Sequence, residues 1–156
     1  MDQCSVSALT RLGVWHASEG REPQAMEAFQ RAVSVEPNAA DAWFCLGVIY
    51  CGRQMIAESI AAHRHAALAQ PDNAFYWYAL GTMYQTFQPR RWRRAASAAL
   101  REALRRQAVY PEARAALEVI RDTSVLRRTV RIGSSVVRCA RRQFSFLRIA
   151  AHPKSR

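Results

Sequence analysis

A four-residue skeleton recurs three times in the first half of the chain, and its interval constrains the fold more than any other feature. The skeleton has a bulky residue, a leucine, a glycine and a ring-bearing residue at spacings of three, one and three. Its copies are Leu9, Leu12, Gly13 and His16; Trp43, Leu46, Gly47 and Tyr50; and Trp77, Leu80, Gly81 and Tyr84. Each copy lies 34 residues after the one before. Such a period is typical of stacked helical repeats, in which each unit buries its apolar face against a neighbour.

A second pattern follows the first two copies: a small–large–small triplet at helical spacing that closes with a proline. Its members are Ala25, Phe29, Ala32 and Pro37, and then Ser59, His63, Ala66 and Pro71. Ser59 and His63 depart from the alanine and the large apolar residue of the pattern, and we expect His63 to be packed in the core. The complete unit resembles the tetratricopeptide repeat. This resemblance implies an all-α, right-handed superhelix of helix–turn–helix repeats.

The resemblance also suggests how the chain is divided. We place a repeat domain at 1–122 and a basic C-terminal tail at 123–156. Within the domain we place repeats at 6–39, 40–73 and 74–111 and a capping helix at 112–122. A cap is expected because a terminal repeat otherwise exposes a hydrophobic stripe.

The third repeat is irregular. Ala96, Leu100 and Ala103 fit its second helix, but Pro111 comes several residues later than the closing prolines of the other units. Either residues 88–94 contain an insertion, or the second helix is longer, or both.

Charge is distributed unevenly along the chain. Residues 1–88 contain five Arg and eight acidic residues, a net of −3, whereas residues 89–156 contain 18 basic and four acidic residues, a net of +14. Such asymmetry favours a nucleic acid, an anionic membrane or an acidic protein as the partner of the basic half. A genome rich in G and C would also enrich Arg without any functional reason.

The tail carries nine basic residues and no acidic one after Asp122. Its apolar residues keep heptad-like spacing: Leu126, Val130, Val137, Ala140, Phe144 and Leu147. This spacing predicts a basic amphipathic helix, broken near Gly133, or a segment that is partly disordered in the free protein. Short strands are the alternative, because residues 130–132 and 144–149 also alternate.

Two Arg-rich clusters form a predicted contact surface for nucleic acid or an acidic partner. They are Arg90, Arg91, Trp92, Arg93 and Arg94, and in the tail Arg127, Arg131, Arg138 and Arg142. An exposed Trp between Arg residues stacks on a base while the guanidinium groups pair with phosphates. The alternative is a solvated loop with Trp92 tucked into a helix interface.

In the tetratricopeptide family, the first helix of each repeat lines a concave groove. The resemblance places Thr10, Val14, Asp41, Phe44, Val48, Phe75, Tyr78 and Thr82 on that groove. The predicted groove is mostly apolar and aromatic, which suits an amphipathic helix or an extended apolar peptide. Alternatively, Phe44, Phe75 and Tyr78 pack against neighbouring helices, or the chain's own C-terminal helix fills the groove.

One subgroup of the family clamps the C-terminal carboxylates of heat-shock chaperones with Lys, Asn and Arg. At the corresponding places this chain has Thr10, Val14, Cys45, Val48 and Phe75. The cationic and amide donors are missing, so we do not expect a chaperone carboxylate clamp.

No sequence feature indicates catalysis, a cofactor or a metal site. The chain has no Gly-rich phosphate loop, no His-Glu-x-x-His and no Gly-x-Ser-x-Gly motif. None of the four cysteines belongs to a Cys-x-x-Cys pair, which favours reduced thiols. The chain has neither a secretory signal nor a long apolar run. We therefore expect an intracellular protein, cytoplasmic or organellar.

These patterns together predict a non-catalytic protein–protein interaction scaffold or adaptor, a subunit of a larger assembly. The alternative is an RNA-associated accessory subunit of a ribonucleoprotein complex that uses the Arg-rich C-terminal half. A third candidate is a peripheral membrane adaptor anchored by its tail.

Overall fold

The computed structural model describes residues 3–87 and 91–121, and these residues form seven α-helices and no strand. The helices are α1 Gln3–Ser18, α2 Glu22–Val35, α3 Ala40–Gly52, α4 Ile56–Ala69, α5 Ala74–Phe87, α6 Arg93–Arg106 and α7 Pro111–Arg121. The predicted tail at 123–156, with its four Arg positions, lies outside the described residues, and so does Arg90.

The helices pack as three successive pairs, α1 with α2, α3 with α4, and α5 with α6. The second helix of one pair also packs on the first helix of the next, α2 on α3 and α4 on α5. The last helix, α7, packs on α6 and touches α5. The described residues therefore form the all-α array of helical repeats that the period predicts, with α7 packed on the third pair.

The skeleton glycine lets the two helices of each pair approach closely. A Cβ atom added at Gly13 would lie 2.6 Å from the ring of Phe29, and one added at Gly81 would lie 2.7 Å from Leu100. At Gly47 the added atom would collide with the imidazole of His63. A large side chain from the second helix thus fills the space that each glycine leaves open, which we call the glycine notch. His63 is buried, which confirms that it is a packed residue.

The third pair shows where its extra residues lie. Gly81 and Leu100 are three positions further apart in sequence than the matching residues of the other two pairs. Helix α6 has 14 residues, as α2 and α4 have, so the second helix is not longer. The extra residues therefore lie between Gly81 and the start of α6. Pro111 does not close the third pair, because it is the first residue of α7.

The first pair has an uncovered face. Leu12 is 43% exposed, whereas the matching Leu46 is 1% exposed because α2 packs on α3. Trp15 is also exposed, whereas the matching Ile49 is buried. In the described part of the chain, no helix stands before α1 as α2 stands before α3. The same motif therefore gives a buried residue inside the array and an exposed one at its edge.

Candidate protein-binding groove

Helices α3 and α5 carry almost no charge. The 13 residues of α3 contain one charged side chain, Asp41, and the 14 residues of α5 contain none. By contrast, α6 contains five Arg and one Glu in 14 residues. These two first helices supply six of the eight predicted groove residues, so we call their shared surface the α3–α5 groove.

Asp41 links the two helices. It is exposed, and its carboxylate accepts a short hydrogen bond from the hydroxyl of Tyr76. Burial raises the pKa of Tyr76, and the hydrogen bond and negative charge of Asp41 raise it further. Burial, and then Asp41, also raise the pKa of the Cys45 thiol. Tyr76 and Cys45 therefore stay neutral at physiological pH, which leaves Asp41 as the charged group of this surface.

Aromatic rings surround the Asp41–Tyr76 pair. The ring centroid of Phe44 lies 5.0 Å from that of Phe75 and 5.9 Å from that of Tyr76. Phe44 also meets His63 edge-to-face at 5.4 Å. Phe44 is buried and Phe75 is half-buried. Phe44 thus forms the buried floor of this cluster, and Phe75 is its half-buried ring.

The remaining predicted groove residues are less accessible to a ligand. Val48 is buried, and Val14 is half-buried. The hydroxyl of Thr10 donates to the carbonyl of Val6 at 2.9 Å, and that of Thr82 donates to the carbonyl of Ala79 at 2.8 Å. Both threonine hydrogens are therefore used within their own helices, and specific donation to a ligand is not expected from them.

The aromatic surface continues past α5. The half-buried Tyr78 lies 5.1 Å from Tyr110, centroid to centroid, and Tyr110 precedes α7. Burial raises the pKa of Tyr110 to about 12, and Tyr78 and Glu112 contribute to the shift. Sequence reasoning missed Tyr110 and Tyr76 as part of this surface. The sequence signal for Tyr76 was the density of aromatic residues in α5, whereas Tyr110 has no other aromatic residue near it in sequence and gave no such signal.

Below the groove floor, His63 belongs to a buried chain of hydrogen bonds. The hydroxyl of Ser59 donates to the carbonyl of Gly47 at 2.7 Å, and His63 Nδ1 donates to the carbonyl of Ser59 at 2.8 Å. Nε2 has no hydrogen-bond partner in the described part of the protein. Burial lowers the pKa of His63 to about 4, against the hydrogen bond to Ser59, which raises it. His63 is therefore neutral at physiological pH and is a packing residue.

The described part of the Arg cluster lies at the start of α6. Trp92 stacks on Tyr84 at 5.1 Å with an interplanar angle of 20°, and the guanidinium of Arg91 lies 5.5 Å from the Trp92 ring centroid. One face of the indole is thus occupied within the protein. Arg93 and Arg94 are exposed in the first helical turn, where no acidic residue stands. The positive end of a helix dipole disfavours cations there, so these residues do not stabilise α6.

Two negative findings apply to residues 3–87 and 91–121. No group of three or more His, Cys, Asp or Glu side chains comes together there in a way that would hold a metal ion. None of these helices is both long enough and apolar enough to cross a bilayer.

Comparison with known proteins identifies the fold. No family model and no curated protein matches the chain. The first TPR of Spaghetti (RPAP3), bound to an HSP90 peptide, matches with a TM-score of 0.69 and 14% identity, covering 80% of this chain and 96% of that one. The Arabidopsis OM64 TPR domain matches at 0.64 and 14%, covering 75% and 94%. The Yersinia enterocolitica type III secretion chaperone SycD, in complex with a peptide of the translocator YopD, matches at 0.65 and 15%, covering 77% and 95%. The chain therefore has the predicted tetratricopeptide-repeat fold.

Proposed function

We propose that this tetratricopeptide-like chain is a non-catalytic scaffold or adaptor, a subunit of a larger assembly, that binds a protein segment in the α3–α5 groove. The observation that carries the proposal is an aromatic surface with a single charge. Asp41 is the one charged residue on the two helices, its hydrogen-bond partner Tyr76 contacts the ring of Phe75, and Tyr78 follows Phe75 by about one helical turn. Much of α3 and α5 is buried, which explains why the two helices carry so little charge. Asp41 is exposed and Phe75 and Tyr78 are half-buried, so a ligand at this surface would contact two aromatic rings and one carboxylate.

The residues of the groove indicate which kind of partner would bind there. An amphipathic helix or apolar peptide would pack its apolar side chains on Phe75 and Tyr78 and bring one cationic side chain to Asp41. Arg fits best, because its guanidinium pairs with a carboxylate and stacks on aromatic faces.

The same chemistry argues against an acidic ligand. The RPAP3 domain is bound to the peptide SRMEEVD, in which three of the last four residues are acidic. In this chain the groove positions at Val14, Val48 and Phe75 provide no cation, and Asp41 would repel carboxylates. We therefore propose that the protein does not act as a chaperone carboxylate clamp.

The test is the affinity of one partner for matched variants of the full chain. A photo-crosslinking amino acid at position 78 first identifies the partner segment, which is then made as a synthetic peptide. Tyr78→Ala should weaken its binding about 10- to 100-fold, as expected for an aromatic anchor. Leu68→Ala is the control, because Leu68 is 58% exposed on α4, a second helix of a pair. Equal affinities for the wild type and Tyr78→Ala would refute the proposal.

RNA association is the second candidate, and the start of α6 is the observation that favours it. Arg91, Arg93 and Arg94 are exposed, and none of them forms an ion pair in the described part of the chain. If they bind phosphates, RNA affinity should fall steeply with salt, and each Arg→Ala change should reduce the salt slope by about one. A shallow slope that these changes leave unaltered would reject RNA binding.

A further inference from the structure

We infer that the chain's own C-terminal segment, residues 123–156, is a ligand of the α3–α5 groove and competes there with the protein partner. The inference rests on the proposed function, because a groove that binds an apolar, cationic segment from another protein will also bind one on the same chain.

The segment and the groove are complementary in charge. The segment carries nine basic residues and no acidic one, and the groove helices carry one acidic residue and no basic one. Asp41 forms no ion pair among the described residues, and its partner there is the neutral hydroxyl of Tyr76. Other acidic residues, such as Glu22 and Glu102, already pair with Arg side chains. The charge of Asp41 is thus available to a cation from outside the described helices.

The apolar chemistry matches as well. Phe144, Phe146 and Leu147 lie close together in sequence, with Arg142 before them and Arg148 after them. An aromatic ring packs favourably edge-on or offset against another ring, in addition to the area that it buries. Phe75 and Tyr78 are the half-buried aromatic side chains of the groove, and an Arg next to a ring that packs on them would reach Asp41.

The segment is long enough to reach the groove. It follows α7, which touches α5, and Tyr110 at the start of α7 already contacts Tyr78. Packed helices lie about 8–10 Å apart, so three helix layers span about 30 Å. Thirty-four residues cover about 50 Å even when fully helical, and more when extended.

Because the segment and the groove belong to one chain, the segment would compete with an outside partner at a high effective concentration. A short flexible connection holds a segment at about millimolar effective concentration. A segment with an intrinsic dissociation constant of about 10 µM would then weaken the binding of an outside partner by about 100-fold. Partner binding would be strong only when the segment is drawn away, for example by an acidic surface or a nucleic acid.

The experiment places a photo-crosslinking amino acid at position 75 of the full chain, with the same group at Gln30, which is exposed on α2, as the control. After irradiation of dilute protein, the monomer band is digested and the linked peptides are identified by mass spectrometry. We expect links from position 75, and not from position 30, to peptides within 123–156. Asp41→Asn should reduce their yield, whereas Asp72→Asn, which removes an exposed acid elsewhere, should not. Absence of these links, or links found only between two chains, would overturn the inference, and so would equal yields in the two Asp variants.

A second measurement separates this inference from the proposed function. Phe144→Ala with Phe146→Ala in the full chain should tighten binding of the synthetic partner peptide by at least about 10-fold, because the competitor is weakened. If that affinity does not change while Tyr78→Ala still weakens binding, the inference fails and the proposed function stands. If Tyr78→Ala has no effect, the proposed function itself fails.

Discussion

Replacing His63 by Leu should remove most of the acid sensitivity of the core. Burial lowers the pKa of His63 from 6.5 to about 4 in the folded protein. Between these two values the unfolded chain holds a proton on this imidazole and the folded chain does not. Stability therefore falls as the pH falls from 6.5 towards 4, by about 1.4 kcal/mol for each pH unit. The wild type should thus lose roughly 3 kcal/mol of unfolding free energy from this residue by pH 4.

Denaturant unfolding at a series of pH values measures this effect. The unfolding free energies of the wild type and His63→Leu should be similar near neutral pH, because Leu100 shows that a leucine fits the matching notch against Gly81. The two curves should then diverge as the pH falls, with His63→Leu the more stable at pH 4. His65→Gln is the control, since it removes an exposed imidazole that stacks on Trp43. Parallel pH profiles for the wild type and His63→Leu would show that the buried imidazole is not the acid-sensitive group.

Two further pairs of substitutions test the packing of the repeats by the same unfolding assay. Gly81→Ala should destabilise the fold by about 1–3 kcal/mol, because the new Cβ would overlap the side chain on α6. Gly52 has open space around it, so Gly52→Ala should instead stabilise α3 by about 0.5–1 kcal/mol. If Gly52→Ala were the more destabilising of the two substitutions, the close approach of α5 and α6 at Gly81 would be contradicted. Trp43→Phe should cost about 1 kcal/mol for the lost hydrogen bond from the indole to a proline carbonyl at 2.8 Å. Trp77→Phe loses the matching hydrogen bond but should cost less free energy of unfolding. Its acceptor, the carbonyl of Pro71, would keep a second hydrogen bond, which it accepts from an Arg side chain at 3.0 Å. A cost equal to or larger than that of Trp43→Phe would contradict this reasoning.

The sequence revealed the repeat because its packing depends on few residues. A glycine notch and the large residue that fills it must recur at a fixed interval, as at Gly13 and Phe29, and such a pair is visible without coordinates. The extra residues of the third pair were harder to place, because Ala108 stands directly after the helix cap where Pro71 stands in the second pair. Without that marker, an insertion and a longer helix look the same in sequence.

The sequence did not predict the contacts between one repeat and the next. The hydrogen bond from Tyr76 to Asp41 joins two helices of different pairs, and it depends on how one pair is rotated relative to the next. The exposure of Leu12 depends on whether a helix precedes it, which the motif itself does not encode. The predicted groove surface is therefore partly closed, with Phe44 and Val48 buried, while Tyr110 extends it from a connection that carries no repeat motif.

The central claim is that the α3–α5 groove binds a protein partner through apolar contacts. The most direct test compares the affinity of the synthetic partner peptide for the full chain, for Tyr78→Ala, and for Arg93→Glu with Arg94→Glu, across a salt series. We expect a loss of about 10- to 100-fold in Tyr78→Ala, little change in the Arg variant, and a shallow salt dependence throughout. A steep salt dependence, with the larger loss in the Arg variant, would contradict the claim and move the binding surface to the start of α6.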